Sequence, residues 1–233
     1  MKVPAPSIPL PIEPIDYIEE IVIIWETEEE ESTIDTGDFA LEIYGVFETV
    51  VSDEGSYALI FDGTITTQLT PKNDDCLGDI EQCPDDMGFA YSFRVQFLSY
   101  EDDMFFISSG GEMNDDYGVA FFYRFGKFWF IVSTTEKIWF VETQSLELNT
   151  WYELVISWAE TIGLEIYVDG EMVASGNYTE RQEPLQPAED GQPVFFGRAT
   201  EEGVGKTGQF IMETVTMYLA HWQLVLVSGE TLN

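Results

Sequence analysis

The chain has 233 residues, of which 45% are hydrophobic and 15% aromatic, enough to fill the core of one large domain or two small ones. It lacks any run of about 18 apolar residues, which excludes a membrane-spanning helix. The 44 Asp and Glu against 9 Lys and Arg give a net charge of −35, which excludes nucleic-acid binding because that needs cations to replace phosphate counterions.

The first 14 residues predict an extended N-terminal arm, because their five prolines favour polyproline II and prevent an interior helix. The next segment, 15–25 (IDYIEEIVIIW), is rich in β-branched residues and predicts a strand, which the acidic run 26–32 ends. The apolar side chains of this assembly arm are Ile15, Ile18, Ile21, Val22, Ile23, Ile24 and Trp25.

Two interpretations of the 15–25 strand are open at this point. It is either the first strand of the chain's own sheet, or it adds to the sheet of a neighbouring copy. The second arrangement would generate a filament, since a head-to-tail contact of this kind does not close. The net charge of −35 opposes such assembly, so the contact would need many main-chain hydrogen bonds and buried aliphatic side chains.

From residue 39 onward the sequence predicts strands at short spacing and no helix. The segment 89–97 (FAYSFRVQF) alternates strictly between apolar and polar positions, as expected for a strand with one buried face. Residues 117–132 predict a hairpin that turns at Gly126-Lys127, with Phe125 facing inward. About twelve strands or more, with frequent turn signals, predict an all-β, antiparallel two-sheet jelly-roll sandwich that forms a single domain over 15–233.

The two cysteines, Cys76 and Cys83, lie in a loop-like stretch, CLGDIEQC. With His221 as the one histidine, they cannot supply a four-ligand structural zinc site. A disulfide would close a short loop, contribute about 2.5 kcal/mol in the chain-entropy model and indicate an oxidising compartment. The other interpretation is a pair of reduced cysteines on neighbouring loop ends.

Acidic loop clusters offer the hard oxygen ligands that calcium takes six to eight at a time. The candidate ligands are Asp74, Asp75, Asp85, Asp86, Asp115 and Asp116. Because Asp and Asn also favour turns for backbone reasons, turn formation alone is the competing interpretation.

Residues 146–176 predict two strands and a hairpin turn at Asp169-Gly170. In the first strand, Leu154 and Trp158 stand at positions that should face the opposite sheet. Directly after the hairpin, Asn177 begins an Asn-x-Thr acceptor sequence for N-glycosylation in a predicted loop.

The order of these features resembles the concanavalin A-like lectin/glucanase superfamily, in particular its laminin-G-like and pentraxin-like modules. The resemblance is carried by GSYALIFDG (55–63), the cysteine segment 76–97, FFISSGG (105–111), LNTWYELVISW and GLEIYVDGEMVAS (148–175), and VFFGRA (194–199). It implies a jelly-roll fold of extracellular proteins. Members include lectins, adhesion modules, calcium-dependent binders and glycosidases, so a function has to be argued from a site. The arm, the 15–25 strand and the C-terminal segment depart from the family pattern.

Enzymatic sites find little support in the sequence. β-Glucan hydrolases of the superfamily carry paired carboxylates on one strand, and the nearest candidates are Glu165, Asp169 and Glu171, with Asp169 displaced into a turn. His221 lies in an apolar strand without a nucleophile elbow, and GVGKTG (203–208) lacks the spacer of a phosphate-binding loop.

The sequence therefore predicts a non-enzymatic, extracellular structural or adhesion module that assembles with other copies through its N-terminal arm. The alternative is a lectin-like domain that binds glycans, with calcium as its candidate cofactor, and a β-glucan hydrolase is the third interpretation. Neither nucleic acid nor insertion into a membrane is expected. The N-terminal residues lack the apolar run of a signal peptide, so secretion implies that a signal was removed ahead of this numbering.

Overall fold

The computed structural model describes residues 16–24, 33–35, 39–44, 48–52, 57–71, 76, 80–83, 87–111, 116–186, 193–200 and 204–221. Within these ranges the chain is almost entirely β-strand, with one 3₁₀ turn at Ile80–Gln82. The strands of these ranges are β1 (Asp16–Ile24), β2 (Thr33–Asp35), β3 (Phe39–Tyr44), β4 (Glu48–Val51), β5 (Tyr57–Asp62), β6 (Thr66–Pro71), β7 (Met87–Phe97), β8 (Met104–Ser108), β9 (Gly118–Arg124), β10 (Lys127–Ser133), β11 (Lys137–Gln144), β12 (Trp151–Ala159), β13 (Gly163–Val168), β14 (Glu171–Gly176), β15 (Tyr178–Glu180), β16 (Val194–Phe196), β17 (Lys206–Thr207) and β18 (Gln209–His221).

The strands form two sheets that pack face to face. Sheet 1 has eight strands in the order β14-β13-β12-β7-β18-β5-β4, with β1 also paired to β18. Sheet 2 has ten strands in the order β15-β11-β10-β9-β8-β16-β6-β3-β2, and β17 pairs with β8 in parallel. All other pairs are antiparallel, which confirms the predicted jelly-roll sandwich. In the described part of the chain, no helix is long and apolar enough to cross a membrane.

The core lies between the sheets and is built from the alternating positions that the sequence predicts. In β7, Phe89, Phe93 and Phe97 are buried. From Phe93 to Phe97, buried apolar side chains alternate with half-buried polar ones. Trp139 of sheet 2 meets Trp158 of sheet 1 edge to face, with ring centroids 5.1 Å apart. A cavity of about 10 Å³ remains between the sheets, and its lining is apolar. It is too small for an organic ligand, so binding at this point of the core is excluded.

Both predicted hairpins are present, but one turn lies a residue earlier than expected. Asp169 and Gly170 have φ of 50° and 78°, as the predicted two-residue turn requires. In the other hairpin, Arg124 pairs with Lys127, so the turn residues are Phe125 and Gly126, with φ of 52° and 79°. The prediction that Phe125 faces inward is therefore wrong: a turn residue projects beyond the sheet, and Phe125 is 75% exposed.

Strand β1 pairs with the last strand of the same chain, from Asp16 opposite His221 to Ile24 opposite Thr214. The same edge of β18 pairs with β5 up to Met212, and a bulge separates Met212 from Thr214 where the partner strand changes. Two strands thus share one edge of β18. The Pro-rich arm 1–14, together with Ile15 and Trp25, lies outside the described residues.

Candidate functional site

The outer face of sheet 2 is apolar where β9, β10 and β11 lie side by side. Outward-facing residues of an antiparallel sandwich are normally polar, because that face meets water. Here the register places Phe122 opposite Trp129, and Ile131 opposite Phe140. The ring centroids of Phe122 and Trp129 are 5.8 Å apart, and those of Trp129 and Phe140 are 4.8 Å apart. We call these four residues, Phe122, Trp129, Ile131 and Phe140, together with Phe125, the aromatic shelf.

Phe125 extends the aromatic shelf at the tip of the β9–β10 hairpin. Its ring centroid lies 6.2 Å from that of Trp129, and its backbone N–H donates to the Asp102 carboxylate at 2.8 Å. Asp103, with φ of 64°, is a second non-glycine residue in the left-handed region, and it forms an ion pair with Arg124. Left-handed non-glycine residues are strained and cluster at functional sites. The acidic turn thus fixes the backbone of an exposed aromatic residue.

Residues 197–200 and 204–205, which the structure describes, lie at the outer face next to the aromatic shelf. Ala199 packs in a buried cluster with Phe105 and Phe122, and Val204, Trp129 and Ile131 border this cluster. The loop is further held by a hydrogen bond between the Ser108 and Thr200 hydroxyls at 2.8 Å. The aromatic shelf therefore has a raised border on one side and open solvent at Phe125 and Phe140.

Charges around the aromatic shelf are arranged in pairs. The Arg124 guanidinium lies over the rings of Phe122 and Trp129, 4.9 and 5.8 Å from their centroids, and pairs with Asp103. Lys127 pairs with Glu142 on β11.

Lys206, on β17, pairs with Glu101 beside the acidic turn at 2.7 Å. This hydrogen bond raises the pKa of Lys206 above its ordinary value. Asp102 adds one negative charge to these three ion pairs. Among the described residues, these three positive and four negative groups sum to −1, on a chain of net charge −35.

The chemistry available at the aromatic shelf is apolar contact with ring faces, flanked by hydrogen-bonding groups. The indole N–H of Trp129 is buried and has no acceptor among the described residues, so Trp129 offers its ring to a ligand and not its N–H. The polar groups near the rings include the exposed parts of Arg124 and Asp103, and those of Lys127 and Glu142, the latter directly opposite Trp129 in the register.

Cys76 and Cys83 form a disulfide, as the sequence predicts. The bond lies beside the 3₁₀ turn Ile80–Gln82, and Cys76 is buried in the core cluster while Cys83 packs against it. The disulfide thus joins the loop before β7 to the sandwich.

The calcium prediction falls mostly on residues that the structure does not describe. Asp74, Asp75, Asp85, Asp86 and Asp115 lie outside the described ranges. Asp116 is described: its carboxylate accepts the Tyr117 N–H at 2.8 Å, and its carbonyl accepts from the Arg181 guanidinium at 2.7 Å. Within the described ranges, no group of three or more His, Cys, Asp or Glu is placed to hold a metal ion.

Asn177 is exposed between β14 and β15, where the chain passes from sheet 1 to sheet 2. The crossing is tight, because a Cβ on Gly176 would lie 2.7 Å from Val141 Cγ1 and 3.0 Å from the Phe140 carbonyl oxygen, both on β11 of sheet 2. The exposed position suits a glycosylation acceptor, and glycosylation of Asn177 stays a prediction.

The candidate hydrolase carboxylates are engaged in local hydrogen bonds. Glu165 accepts from the Tyr167 hydroxyl at 2.6 Å, and the pKa of Tyr167 is raised, first by burial and then by this bond. Asp169 lies in the hairpin turn and accepts the Glu153 N–H at 2.9 Å. Because Asp169 is a turn residue, the alternation that would place the carboxylates on one strand face is interrupted before Glu171.

The aromatic shelf was not predicted from the sequence. Its signal is present in the sequence, since residues 118–123 and 128–132 are apolar at every position and not only at alternate ones. A strand that is apolar on both faces of an antiparallel sheet indicates that the second face is covered or binds something.

The sequence matches a laminin-G family of the concanavalin A-like lectin/glucanases superfamily over residues 76–218, more than half of the chain. The chain belongs to this superfamily. No curated protein sequence gives a significant match. The family segment covers β7 to β16 and most of β18, and therefore includes the whole aromatic shelf of this concanavalin A-like domain.

Solved structures with the same fold include toxin domains. The receptor-binding domain of botulinum neurotoxin C/D mosaic serotype is 12% identical, with a TM-score of 0.57 over 87% of this chain and 48% of that one. The botulinum neurotoxin DC binding domain, solved with rat synaptotagmin II, is 11% identical, with a TM-score of 0.57 over 87% and 49%. The binding domain of Paraclostridial mosquitocidal protein 1 is 15% identical, with a TM-score of 0.53 over 78% and 44%. This concanavalin A-like chain spans about half the length of these structures, and the likeness shows the fold alone.

Proposed function

We propose that this protein is a non-enzymatic, extracellular binding module that holds a glycan on its aromatic shelf. The observation that carries the proposal is the pair of exposed rings, Phe125 and Phe140, on either side of Trp129. Exposed aromatic rings beside a few polar groups suit sugars, because the C–H face of a pyranose stacks on a ring while its hydroxyls form hydrogen bonds.

The exposed area favours a small ligand over a protein partner. An aromatic side chain buries about 150–250 Å² when it is fully covered. With 75% of Phe125 and 40% of Phe140 exposed, the two rings offer roughly 170–290 Å². A standard protein interface needs about 800 Å² from each partner. The two rings match one or two stacked sugar residues instead.

Binding without hydrolysis agrees with the carboxylates at the site. Glycosidic cleavage needs two carboxyl groups that flank the scissile bond, one as acid and one as base or nucleophile. Of the carboxylates at the aromatic shelf, Asp103 and Glu142 are each engaged by a basic side chain, and Asp102 accepts the Phe125 N–H. We therefore expect no turnover of a β-glucan panel, and turnover that Glu165→Gln abolishes would contradict a non-enzymatic role.

An extracellular location is supported by the disulfide and by the exposed acceptor at Asn177. Disulfides persist in oxidising compartments. Among the solved toxin structures of the same fold, the botulinum neurotoxin DC domain is in complex with rat synaptotagmin II, and cell entry of botulinum neurotoxin type C depends on two ganglioside molecules; these are properties of the toxins. They are compatible with a binding role for this chain.

The test is a glycan array followed by calorimetry on the full chain. We expect reproducible hits whose affinity falls about tenfold in Phe125→Ser and in Phe140→Ala, the equivalent of about 1.4 kcal/mol. Met172→Ser and Leu148→Ala are matched controls, since these side chains are 55% and 42% exposed outside the aromatic shelf. Absence of any hit, or equal losses in the controls, would refute the proposal. Repeating the measurement in chelator-stripped buffer tests calcium, and unchanged binding with no calcium heat at millimolar concentration would remove it from consideration.

Self-assembly through β1 is a second candidate role, favoured by the way β5 and β1 share one edge of β18. The edge from Thr214 to His221 needs a strand, and a β1 segment from either the same chain or a neighbouring copy would satisfy it. Deletion of residues 1–25, followed by light scattering, separates these cases. A self-assembling chain becomes monomeric and stays folded, whereas a chain that loses its own strand unfolds.

A further inference from the structure

We propose that the ligand of the aromatic shelf is an uncharged glycan, and that the ion pair between Arg124 and Asp103 selects it. This inference rests on the proposed function and adds the ligand class and the residues that decide it. Three observations support it: the position of Arg124 over the rings, its pairing with Asp103, and the compensation of the remaining charges around the aromatic shelf.

Arg124 is the basic group placed to meet a ligand on the aromatic shelf. Its guanidinium lies over Phe122 and Trp129, and its Nε–H donates to the Asp103 carboxylate. The side chains of Arg124 and Asp103 are 32% and 46% exposed, so solvent and ligands reach both. A guanidinium has five N–H donors, and one of them is used by Asp103.

An anionic ligand is disfavoured because the positive charge of Arg124 is already paired with Asp103. A carboxylate or sulfate on the glycan would have to replace Asp103 at Arg124, or lie beside it as a second anion. Asp102 is close by, and the chain as a whole carries −35, so a further negative charge is repelled at short and at long range. A neutral sugar meets neither obstacle.

The same pair complements hydroxyl groups. A sugar hydroxyl both donates and accepts hydrogen bonds, and adjacent hydroxyls require a donor and an acceptor side by side. Arg124 supplies the donors and Asp103 the acceptor, in a geometry fixed by their mutual bond and by the left-handed turn at Asp103. The arrangement therefore fits a pair of neighbouring hydroxyls on a sugar that stacks on the adjacent rings.

The experiment compares three oligosaccharides with the same core: lacto-N-neotetraose and its sialylated and sulfated forms. Calorimetry on the full chain should show the neutral form binding at least about tenfold more tightly than either anionic form. Its affinity should change less than about twofold between low and high salt, because no net charge is neutralised on binding.

Asp103→Asn is the decisive variant. Asn tolerates the left-handed conformation, so the turn is kept while Arg124 loses its counter-ion. The affinity for the sialylated and sulfated forms should then rise relative to the neutral form and become salt-dependent. Asp102→Asn is the matched control, since it removes the same charge one residue away without freeing Arg124, and the shift in its ratio of affinities should be clearly smaller than in Asp103→Asn.

Each outcome decides the question. A wild-type chain that prefers a sialylated or sulfated form overturns the inference and leaves the proposed function standing. Equal shifts in Asp103→Asn and Asp102→Asn overturn the role of the ion pair, because they would reflect overall charge only. Failure of all three sugars to bind, together with an empty glycan array, refutes the proposed function and the inference with it.

Discussion

Gly205 should be the glycine on which the border of the aromatic shelf depends. It has φ of 63°, and a Cβ added there would lie 2.3 Å from Phe105 Cε2 and 2.5 Å from the Asp103 carbonyl oxygen. Gly126, in the hairpin turn, has φ of 79°, and a Cβ added there meets no atom within 4 Å. The substitutions Gly205→Ala and Gly126→Ala thus impose similar backbone strain and differ in steric overlap.

The loss in free energy of unfolding is estimated for each variant from backbone strain and from steric overlap. An L-residue in the left-handed region costs about 1–2 kcal/mol, and this applies to both variants. Carbon atoms pack at about 3.5–4.0 Å, so the new Cβ of Gly205→Ala overlaps by more than 1 Å with the Phe105 ring, and it also lies too close to the Asp103 carbonyl oxygen. Relieving such overlap costs a further 1–3 kcal/mol or so. Changes in the unfolded chain are the same for two Gly→Ala substitutions and cancel in the comparison.

Thermal unfolding followed by circular dichroism measures the difference. For a chain of this length, 1 kcal/mol corresponds to about 2–4 °C, so Gly205→Ala should melt about 2–12 °C below Gly126→Ala. We also expect Gly205→Ala to weaken glycan binding, since residues 204–205 would move away from Phe105. A melting temperature of Gly205→Ala equal to or above that of Gly126→Ala would refute the packing of this loop on sheet 2.

Three further predictions concern stability. Replacing Cys76 and Cys83 by Ser should lower the free energy of unfolding by about 2.5 kcal/mol in urea titrations, and reduction of the wild type should give the same loss; an unchanged midpoint would contradict a stabilising disulfide. Burial, followed by the neighbouring tyrosines, raises the pKa of Tyr100 above its ordinary value of 10, so its contribution is complete below pH 10 and is lost as pH rises through the raised pKa. Tyr100→Phe should flatten this alkaline loss in unfolding measured from pH 8 to 11, and an identical slope would contradict the assignment. Lys137 of sheet 2 pairs with Glu160 in the turn after β12, and this bond raises the lysine pKa, so the pair stabilises below the ordinary lysine pKa of 10.5 and the contribution disappears as pH rises through the raised value. Glu160→Gln should therefore cost up to about 1 kcal/mol at pH 7 and less at high pH, and a loss that grows with pH would contradict this sign.

Much of the fold could be predicted from the sequence, because buried and exposed residues alternate along a strand with a period of two. The alternation of Phe89, Phe93 and Phe97 with polar residues places one face of β7 in the core, and the structure has it there. Asp169-Gly170 is a turn because these residue types accept the positive φ that a tight hairpin needs. The disulfide was predicted from short spacing in a loop, and the structure contains it.

The candidate site was harder to find, because exposure depends on which strands lie next to each other. Trp129 and Phe140 belong to different strands, and in a strand that is apolar throughout, nothing local distinguishes the inner face from the outer one. A shift of one residue in the β9–β10 turn decides whether Phe125 is core or surface, and the sequence analysis placed that turn one residue too late.

The sequence by itself determined the fold class, the family, the disulfide and the acidic character of this protein, since these follow from composition, local periodicity and short spacing. The tertiary structure alone brought Arg124 to Asp103, set both beside Trp129 and Phe125, and packed Ala199 and Val204 at the same outer face. The physical reason is that sheet register and loop packing join residues that are far apart in the chain, and those contacts carry no signal in any one segment.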